Sequence, residues 1–299
     1  MLCITAIFLT GKGGKMSIRK SHFSGTWYPD TAVACEKEIR QFLQGKKTGE
    51  FAAANPKGGL VPHAGWYFSG SIACHVIHAL TQGETPDTVV IFGMHMHPES
   101  QPCMMPKGAW ETPFGPLPVQ EDLAAELEKT FSFQIETNTR FRQDNTIELQ
   151  LPFVKYFFPD VKILALGVPP ADISPQIAKK ITEIASGLKL GLRVIGSTDL
   201  THYGNNYGFT PKGSGPDALD WVRRENDRSF IDAVLSMNPS DVIREGLSRH
   251  NACCAGAAAA ALTAAKEMGA VKAESLAYAT SYDRHPSDSF VGYAGIVFA

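Results

Sequence analysis

The chain has 299 residues, of which 44% are hydrophobic and 19% charged, as is typical of a folded protein with a sizeable core. Its formal net charge of -2 gives no electrostatic footprint for nucleic acid, and we expect no nucleic-acid partner. The apolar residues 2–10 are too short to span a bilayer and lack the features of a signal peptide, so we expect no membrane association.

The six cysteines are scattered along the chain instead of forming the dense framework of a small secreted domain. We therefore expect reduced thiols and a cytoplasmic location. Residues 1–15 precede a second methionine, Met16, and a more polar sequence. We predict a disordered extension over 1–15, with Met1 and Met16 as alternative starts, and a single domain over 16–299.

Apolar runs and helical patterns alternate along the chain. Strands are predicted before His63 and at 87–92, 161–168, 192–197, 276–280 and 290–298. Helices are predicted at 30–43, 69–80, 120–131, 145–158, 174–188, 218–237 and 252–268. This alternation predicts an α/β fold: a single three-layer α-β-α domain with a mostly parallel central sheet covered on both faces.

Two helix starts carry polar residues suited to capping. Asp30 is the predicted cap of the first helix. Asn145 as the cap with Glu148 three residues later resembles a capping box. This interpretation gives the Asn145 segment a structural role and stands beside a functional one.

Histidines follow three of the predicted strands: His63, the pair His95 and His97, and His202 with Asp199 nearby. One such histidine is usually structural. Because parallel strands bring their carboxyl ends to one edge of a sheet, however, three of them predict a common site. Alternate residues of an extended chain point in opposite directions, so we expect only one residue of the pair to face that site.

Cys253 and Cys254 precede an alanine-rich helix. Their adjacency does not match a zinc knuckle and argues against a disulfide between them. Two interpretations stay open. The pair is either two small buried hydrophobic residues, or one thiolate at a helix N-terminus, where the dipole lowers the thiol pKa and favours metal binding or nucleophilicity.

Seven ordered motifs from residue 21 to the C-terminus resemble those of the Memo family, which in prokaryotes is also called AmmeMemoRadiSam system protein B. They are GTWYP at 25–29, VPHAG at 61–65, GMHMH at 93–97, TPFG at 112–115, IELQLPF at 147–153, STDLTHYG at 197–204 and VGYA at 291–294. The resemblance implies a fold shared with the class III extradiol dioxygenases.

The resemblance also implies a pocket in which two histidines and a cysteine surround a metal ion, with iron or copper expected and zinc as a further option. His63 matches the first histidine. His97 is the preferred second histidine, with His95 as the alternative. Cys253 is the preferred cysteine because it matches the first position of a Cys-Gly-x-Gly pattern, in which Cys254 replaces a glycine and is the alternative ligand.

Further site residues follow from the same resemblance. His202, oriented by Asp199, is the predicted catalytic proton carrier. Trp27, Trp66 and Tyr67 are the predicted apolar wall of the pocket.

The implied function is a redox or dioxygenase-like activity on an unknown substrate. A non-catalytic metal- or peptide-binding adaptor is the first alternative and a zinc-dependent hydrolase the second. Asn145 stands where the family has histidine, which favours the adaptor. The expected partner is a small molecule or peptide, and the genes of prokaryotic relatives suggest a functional link to radical-SAM and AMMECR-type proteins.

Overall fold

The computed structural model describes residues 16–44 and 55–299, so the extension predicted over 1–15 lies outside the described residues. The strands are β1 (Ile18–Arg19), β2 (Gly58–Val61), β3 (Thr88–Gly93), β4 (Cys103–Met104), β5 (Ala109–Trp110), β6 (Leu117–Pro118), β7 (Gln134–Ile135), β8 (Lys162–Gly167), β9 (Leu192–Ser197), β10 (His202–Tyr203), β11 (Ala273–Thr280) and β12 (Phe290–Phe298).

The α-helices are α1 (Ala32–Gln44), α2 (Ser71–Ala79), α3 (Glu121–Glu128), α4 (Asn145–Glu148), α5 (Leu151–Phe157), α6 (Ile173–Gly187), α7 (Pro216–Trp221), α8 (Asp227–Leu235), α9 (Pro239–Arg249) and α10 (Ala255–Glu267). Two π-helical turns, Trp66–Gly70 and Val222–Asn226, lead into α2 and α8. Short 3-10 turns lie at Asn205–Tyr207 and Ser281–Asp283. Within the described ranges, no helix has the length and apolar character needed to cross a membrane.

Within the described residues, the main sheet has nine strands. Eight of them follow the order β10-β12-β2-β9-β3-β8-β4-β7, and β11 pairs with the other edge of β12. Its centre is parallel: β2 pairs with β9, β9 with β3, and β3 with β8. Strand β12 joins β2 in an antiparallel pairing. A separate sheet contains β1, β5 and β6. The predicted α/β class with a mostly parallel sheet is confirmed.

Two apolar clusters cover the opposite faces of this sheet. Along β3, Val89 and Ile91 join the cluster that contains residues of α1, α2 and α5. Val90 and Phe92 join the cluster that contains residues of α3, α6, α8, α9 and α10. Successive side chains of a strand point to opposite faces, so a continuous apolar run supplies both cores.

The alanine-rich helix α10 packs unusually close to the sheet. A Cβ atom on Gly196 of β9 would lie 2.8 Å from the Ala257 carbonyl oxygen and 2.9 Å from the Ala261 Cβ. Small residues on both sides therefore set the distance between strand and helix. This packing fixes the start of α10, and with it the two adjacent cysteines.

Some predicted helix boundaries are wrong. Thr31, not Asp30, caps α1, since its hydroxyl accepts the Ala34 N–H at 3.3 Å. The predicted helix 145–158 is two helices, because Pro152 lies in the first turn of α5 and has no N–H for a continuous ladder. Asp144, not Asn145, caps α4 by accepting the Thr146 N–H at 2.9 Å.

The buried carboxylate of Asp227, at the start of α8, contacts three other segments: Thr201, Tyr278 of β11 and Gly292 of β12. Asp227 Oδ1 accepts the backbone N–H of Thr201 at 3.0 Å, and Oδ2 accepts the Tyr278 hydroxyl at 2.7 Å. Gly292 faces it directly, since an added Cβ would lie 1.9 Å from Asp227 Oδ2. Burial raises the pKa of Asp227 to about 6, while the hydrogen bonds from Thr201 and Tyr278 oppose the shift.

Replacing Asp227 with asparagine removes this titration but keeps an acceptor for Thr201. A carboxyl whose pKa is raised on folding binds its proton more tightly in the folded state, so its contribution to stability falls as pH rises from about 4 to 6. A shift of this size corresponds to about 3 kcal/mol. Urea titrations measure the free energy of unfolding at each pH. Between pH 4 and pH 7, we expect this free energy to fall by about 3 kcal/mol less in D227N than in the unsubstituted protein. Parallel pH profiles for the two proteins would contradict this account.

Candidate metal centre

Three neighbouring parallel strands end at one edge of the sheet and lead into the candidate site. The last residue of β2, Val61, pairs with Ser197, the last residue of β9. The chain continues from these strands to His63 and Asp199, and from the adjacent β3 to His95. The His63 and His95 rings are 5.1 Å apart between centroids and nearly perpendicular. The predicted convergence of strand ends is therefore confirmed for these two histidines.

Four side chains meet at this edge: His63, His95, Cys253 and Cys254. Each offers one ligand atom, and the four atoms lie within 4.8 Å of one another. Cys253 Sγ is 3.2 Å from His63 Nε2. The spacing is small enough for a single ion to contact several of these atoms.

The turn after β9 holds the two cysteines in place. The Cys253 N–H donates to the Asp199 carbonyl at 3.2 Å, and the Asp199 N–H donates back to Cys253 Sγ at 3.3 Å. The Cys254 N–H donates to Thr198 Oγ1 at 3.1 Å. Residues more than 50 positions apart are thus connected by three hydrogen bonds, each donated by a backbone N–H, which leaves little freedom in where the thiols lie.

Hydrogen bonds determine which ring nitrogen of His63 faces the other three side chains of this cluster. The Ser197 hydroxyl donates to the Thr146 carbonyl at 2.8 Å, so its oxygen is free to accept from His63 Nδ1 at 3.0 Å. His63 Nδ1 is therefore the protonated nitrogen, and Nε2 directs its lone pair or a second proton towards Cys253.

His95 is oriented by a carboxylate in the same manner. Asp144 Oδ2 accepts from the His95 backbone N–H at 3.1 Å and from its Nδ1 at 3.0 Å. Because Nδ1 is occupied by Asp144, Nε2 is the ring nitrogen of His95 that is available towards His63 and the two cysteines. A carboxylate behind a ligating imidazole is a common outer partner in metal sites, since it fixes both the tautomer and the ring orientation.

The structure places His95, and not the preferred His97, beside His63 and the two cysteines. Met94, with φ of 71°, turns the chain through the left-handed region directly after β3. His95 then joins His63 and the two cysteines, while His97 is exposed and lines a neighbouring cavity of about 310 Å³ together with Cys253 and His202. The expectation that only one histidine of the pair faces the site is confirmed, whereas the preference for His97, which came from the family resemblance, is not.

The environment of Cys253 favours its thiolate. Burial opposes ionisation, but the hydrogen bond from Cys254 and the His63 and His95 rings hold the pKa of Cys253 well below the ordinary thiol range. Burial and the neighbouring Cys253 sulfur raise the pKa of Cys254. Burial alone would lower the pKa of His95, but hydrogen bonds with Asp144 and Cys253 raise it to about 10.

Asp199 supports His63 instead of His202. Its Oδ1 accepts the His63 backbone N–H at 2.7 Å, and its Oδ2 lies 3.9 Å from His63 Nε2. Burial raises the pKa of Asp199, although the His63 charge opposes the shift. The His202 ring packs edge-on against Tyr207 at 5.0 Å. Asp199 was expected to orient His202, but its carboxylate contacts His63 instead.

A groove of about 730 Å³ opens over His63 and His95. Trp27 and Tyr67 line it, as predicted, and are 40% and 65% exposed. Trp66 does not belong to this wall. It is buried, its ring stacks on Phe153 at 4.1 Å, and its indole N–H donates to the Leu149 carbonyl at 3.2 Å.

Asn145 and Glu148 also have roles that differ from a capping box. Asn145 Nδ2 donates to the His63 carbonyl at 2.8 Å, which ties α4 to the end of β2. Glu148 Oε1 accepts from the His22 and Phe23 N–H groups and from the Tyr28 hydroxyl. This carboxylate thereby anchors the N-terminal turn that carries Trp27 into the groove.

The sequence interpretation missed Ser197 and Asp144, the two partners of the imidazole Nδ1 atoms. Ser197 ends a strand and Asp144 precedes a helix, and nothing in their spacing connects them to His63 or His95, 134 and 49 residues away. One signal was present for Asp144, since a carboxylate before Thr146 is a good helix cap. Its second role depends on the tertiary structure.

Comparisons with known proteins agree with the resemblance seen in the motifs. Residues 19–297 match the family model described as Memo-like protein. A MEMO1 family protein of Pyrococcus furiosus is 32% identical over 289 residues, which cover 94% of this chain and 98% of that protein. Another from Thermococcus onnurineus is 31% identical over 291 residues, covering 94% and 99%.

A crystal structure of an uncharacterized protein from Escherichia coli K12 is similar at a TM-score of 0.49 with 12% sequence identity, covering 75% of this chain and 91% of that one. The family model spans nearly all the described residues and includes His63, His95 and both cysteines of the group. The chain therefore belongs to the Memo family.

Proposed function

We propose that this protein binds a transition-metal ion through His63, His95 and Cys253 at the floor of the aromatic groove. One observation carries the proposal. Both imidazoles have their Nδ1 atoms hydrogen-bonded away from the group, to Ser197 and Asp144, so both Nε2 atoms are left beside the Cys253 sulfur. This donor set fits a metal ion, since imidazole and thiolate are ligands of copper, iron and zinc.

The identity of the ion stays a prediction. Iron and copper are the expected ions, and zinc also accepts two imidazoles and a thiolate. Any of them, when bound, would supply Lewis acidity, and iron or copper would add redox chemistry. Protons and metal compete for the same lone pairs, so binding would release protons from the group.

The groove gives this centre room for an organic ligand. Trp27 and Tyr67 offer exposed aromatic faces at its rim, and Ser281, Ser287 and Ser289 offer hydroxyl groups. A cleft with aromatic walls and a few polar groups is the usual form of a ligand site. A small molecule or a peptide segment is the proposed partner.

A dioxygenase-like activity is the second candidate. It is favoured by His202 and Asp199, which line the same groove as His63 and His95 and would hold or move protons beside a bound substrate. This activity also needs a coordination position that no protein atom fills. The adaptor alternative is favoured by Asn145, whose side-chain amide is used to bind the His63 carbonyl and is not a proton carrier at ordinary pH.

Removal of His95 tests the proposed centre against the expectation based on His97. We expect His95→Ala to weaken binding of iron(II), copper(I) or zinc(II) more than about 100-fold, since the loss of an outer partner alone costs about 10- to 100-fold. His97→Ala, its matched control two residues away, should keep one ion per chain. Metal analysis after dialysis against a chelator, with circular dichroism to check the fold, measures both.

The reverse result, with metal retained in H95A and lost in H97A, would contradict the assigned ligands. Stoichiometric metal in folded His63→Ala protein would contradict the site as a whole.

The role of Asp144 can be tested without touching a ligand. Asparagine keeps an oxygen to cap α4, but its NH2 group cannot accept the proton on His95 Nδ1, so the ring loses its fixed tautomer. We expect Asp144→Asn to weaken metal affinity about 10- to 100-fold. Asp172→Asn, at the exposed start of α6, is the control and should leave affinity unchanged. Equal metal affinities in the two variants would show that Asp144 does not support metal binding by His95.

A further inference from the structure

We propose that Cys254 is a fourth ligand, which makes the site a closed His2Cys2 centre for a tetrahedral divalent ion such as zinc(II). The inference rests on the proposed metal-binding function of the same group. It assigns a role to a thiol that stands where the family pattern has glycine. It also bears on which of the two candidate functions the centre can support.

The spacing of the two sulfurs carries the inference. Cys253 Sγ and Cys254 Sγ are 3.7 Å apart. Two thiolates that bind one ion tetrahedrally, with metal–sulfur distances of about 2.3 Å, lie about 3.8 Å apart. A mixed sulfur–nitrogen pair in the same geometry lies about 3.5 Å apart, and Cys253 Sγ is 3.2 Å from His63 Nε2. All four ligand atoms lie within 4.8 Å of one another. They would therefore have to move by about 1 Å to reach the separations of a tetrahedral site.

The Cys254 sulfur has no strong competing partner among the described contacts. Its neighbours are the Cys253 sulfur and the Met94 carbonyl, the latter at 3.5 Å. The side chain is 3% exposed, and its backbone is held by the hydrogen bond to Thr198. A buried thiol fixed beside three other ligand atoms is placed for coordination, and its S–H proton would leave to solvent when the ion binds.

Charge favours a divalent ion. Two thiolates and a dication sum to zero, whereas copper(I) would leave one negative charge among buried groups. That charge would lie near Asp199, whose Oδ2 is 3.9 Å from His63 Nε2. Uncompensated charge in a buried site is unfavourable.

Four protein donors complete a tetrahedral coordination sphere. Structural zinc sites have this form, whereas catalytic sites keep one position for water or substrate. A closed centre would leave no such position for oxygen or a substrate. The inference therefore favours a metal-holding or ligand-binding role over the dioxygenase-like candidate.

The test uses the full chain loaded with cobalt(II) as a spectroscopic probe, followed by displacement with zinc(II). The near-ultraviolet thiolate-to-cobalt band grows with the number of bound thiolates, so Cys254→Ala should lower it to about half of the wild-type intensity. Cys74→Ala, which removes a buried thiol from α2, is the matched control and should leave the band unchanged. X-ray absorption of the zinc-loaded wild type counts the sulfur ligands directly and depends on no variant.

Two sulfur ligands, with the halved band in C254A, support the inference. One sulfur ligand, or an unchanged band in C254A, overturns it and leaves the proposed His63, His95 and Cys253 centre intact. No stoichiometric binding of either metal by the wild type overturns the proposed function together with the inference.

Discussion

The parallel register of β2, β9 and β3 is the constraint on which the candidate site depends. Because β9 pairs with both neighbours, the three strands end side by side, and the segments that follow them share one edge. The Thr198 N–H donates to the Val61 carbonyl at 2.9 Å and extends the pairing one step beyond the strands. His63 and Asp199 meet through this extension, although 136 residues separate them.

The second requirement is the close approach of α10, which brings the sulfur atoms to that edge. Gly196 and the alanines of α10 let helix and sheet pack with little side chain between them. The helix start then lies against the turn after β9, where Asp199 exchanges hydrogen bonds with Cys253. Packing by small residues thus has a direct chemical consequence, since it sets the distance between thiol and imidazole.

Much of the fold could be predicted from local patterns. The apolar runs at Leu192–Ser197 and Phe290–Phe298 were predicted with the bounds that the structure has. Their signal is strong because a buried strand needs a continuous apolar sequence. Helix starts were less certain. Asp144 and Asn145 are both residue types that cap helices well. Asp144 caps α4 and also accepts from His95, whereas the Asn145 side chain donates to the His63 carbonyl, and local sequence does not distinguish these two roles.

The site could be predicted as a set of strand ends but not in its details. The choice between His95 and His97 depends on the left-handed turn at Met94, and methionine is not a residue whose type signals such a turn. Trp66 was expected in the groove, but the π-helical turn that begins there directs its ring to Phe153. Such choices depend on tertiary packing, which local sequence does not encode.

In the proposed centre, one cavity at the sheet edge brings together two imidazoles and a thiolate as metal ligands. The most direct measurement is anomalous X-ray diffraction, at the absorption edge of the bound metal, from crystals of the loaded protein. We expect one peak at about 2.0–2.4 Å from His63 Nε2, His95 Nε2 and Cys253 Sγ. A peak beside His97, His202 and His250 in the neighbouring cavity, with none between His63 and Cys253, would contradict it.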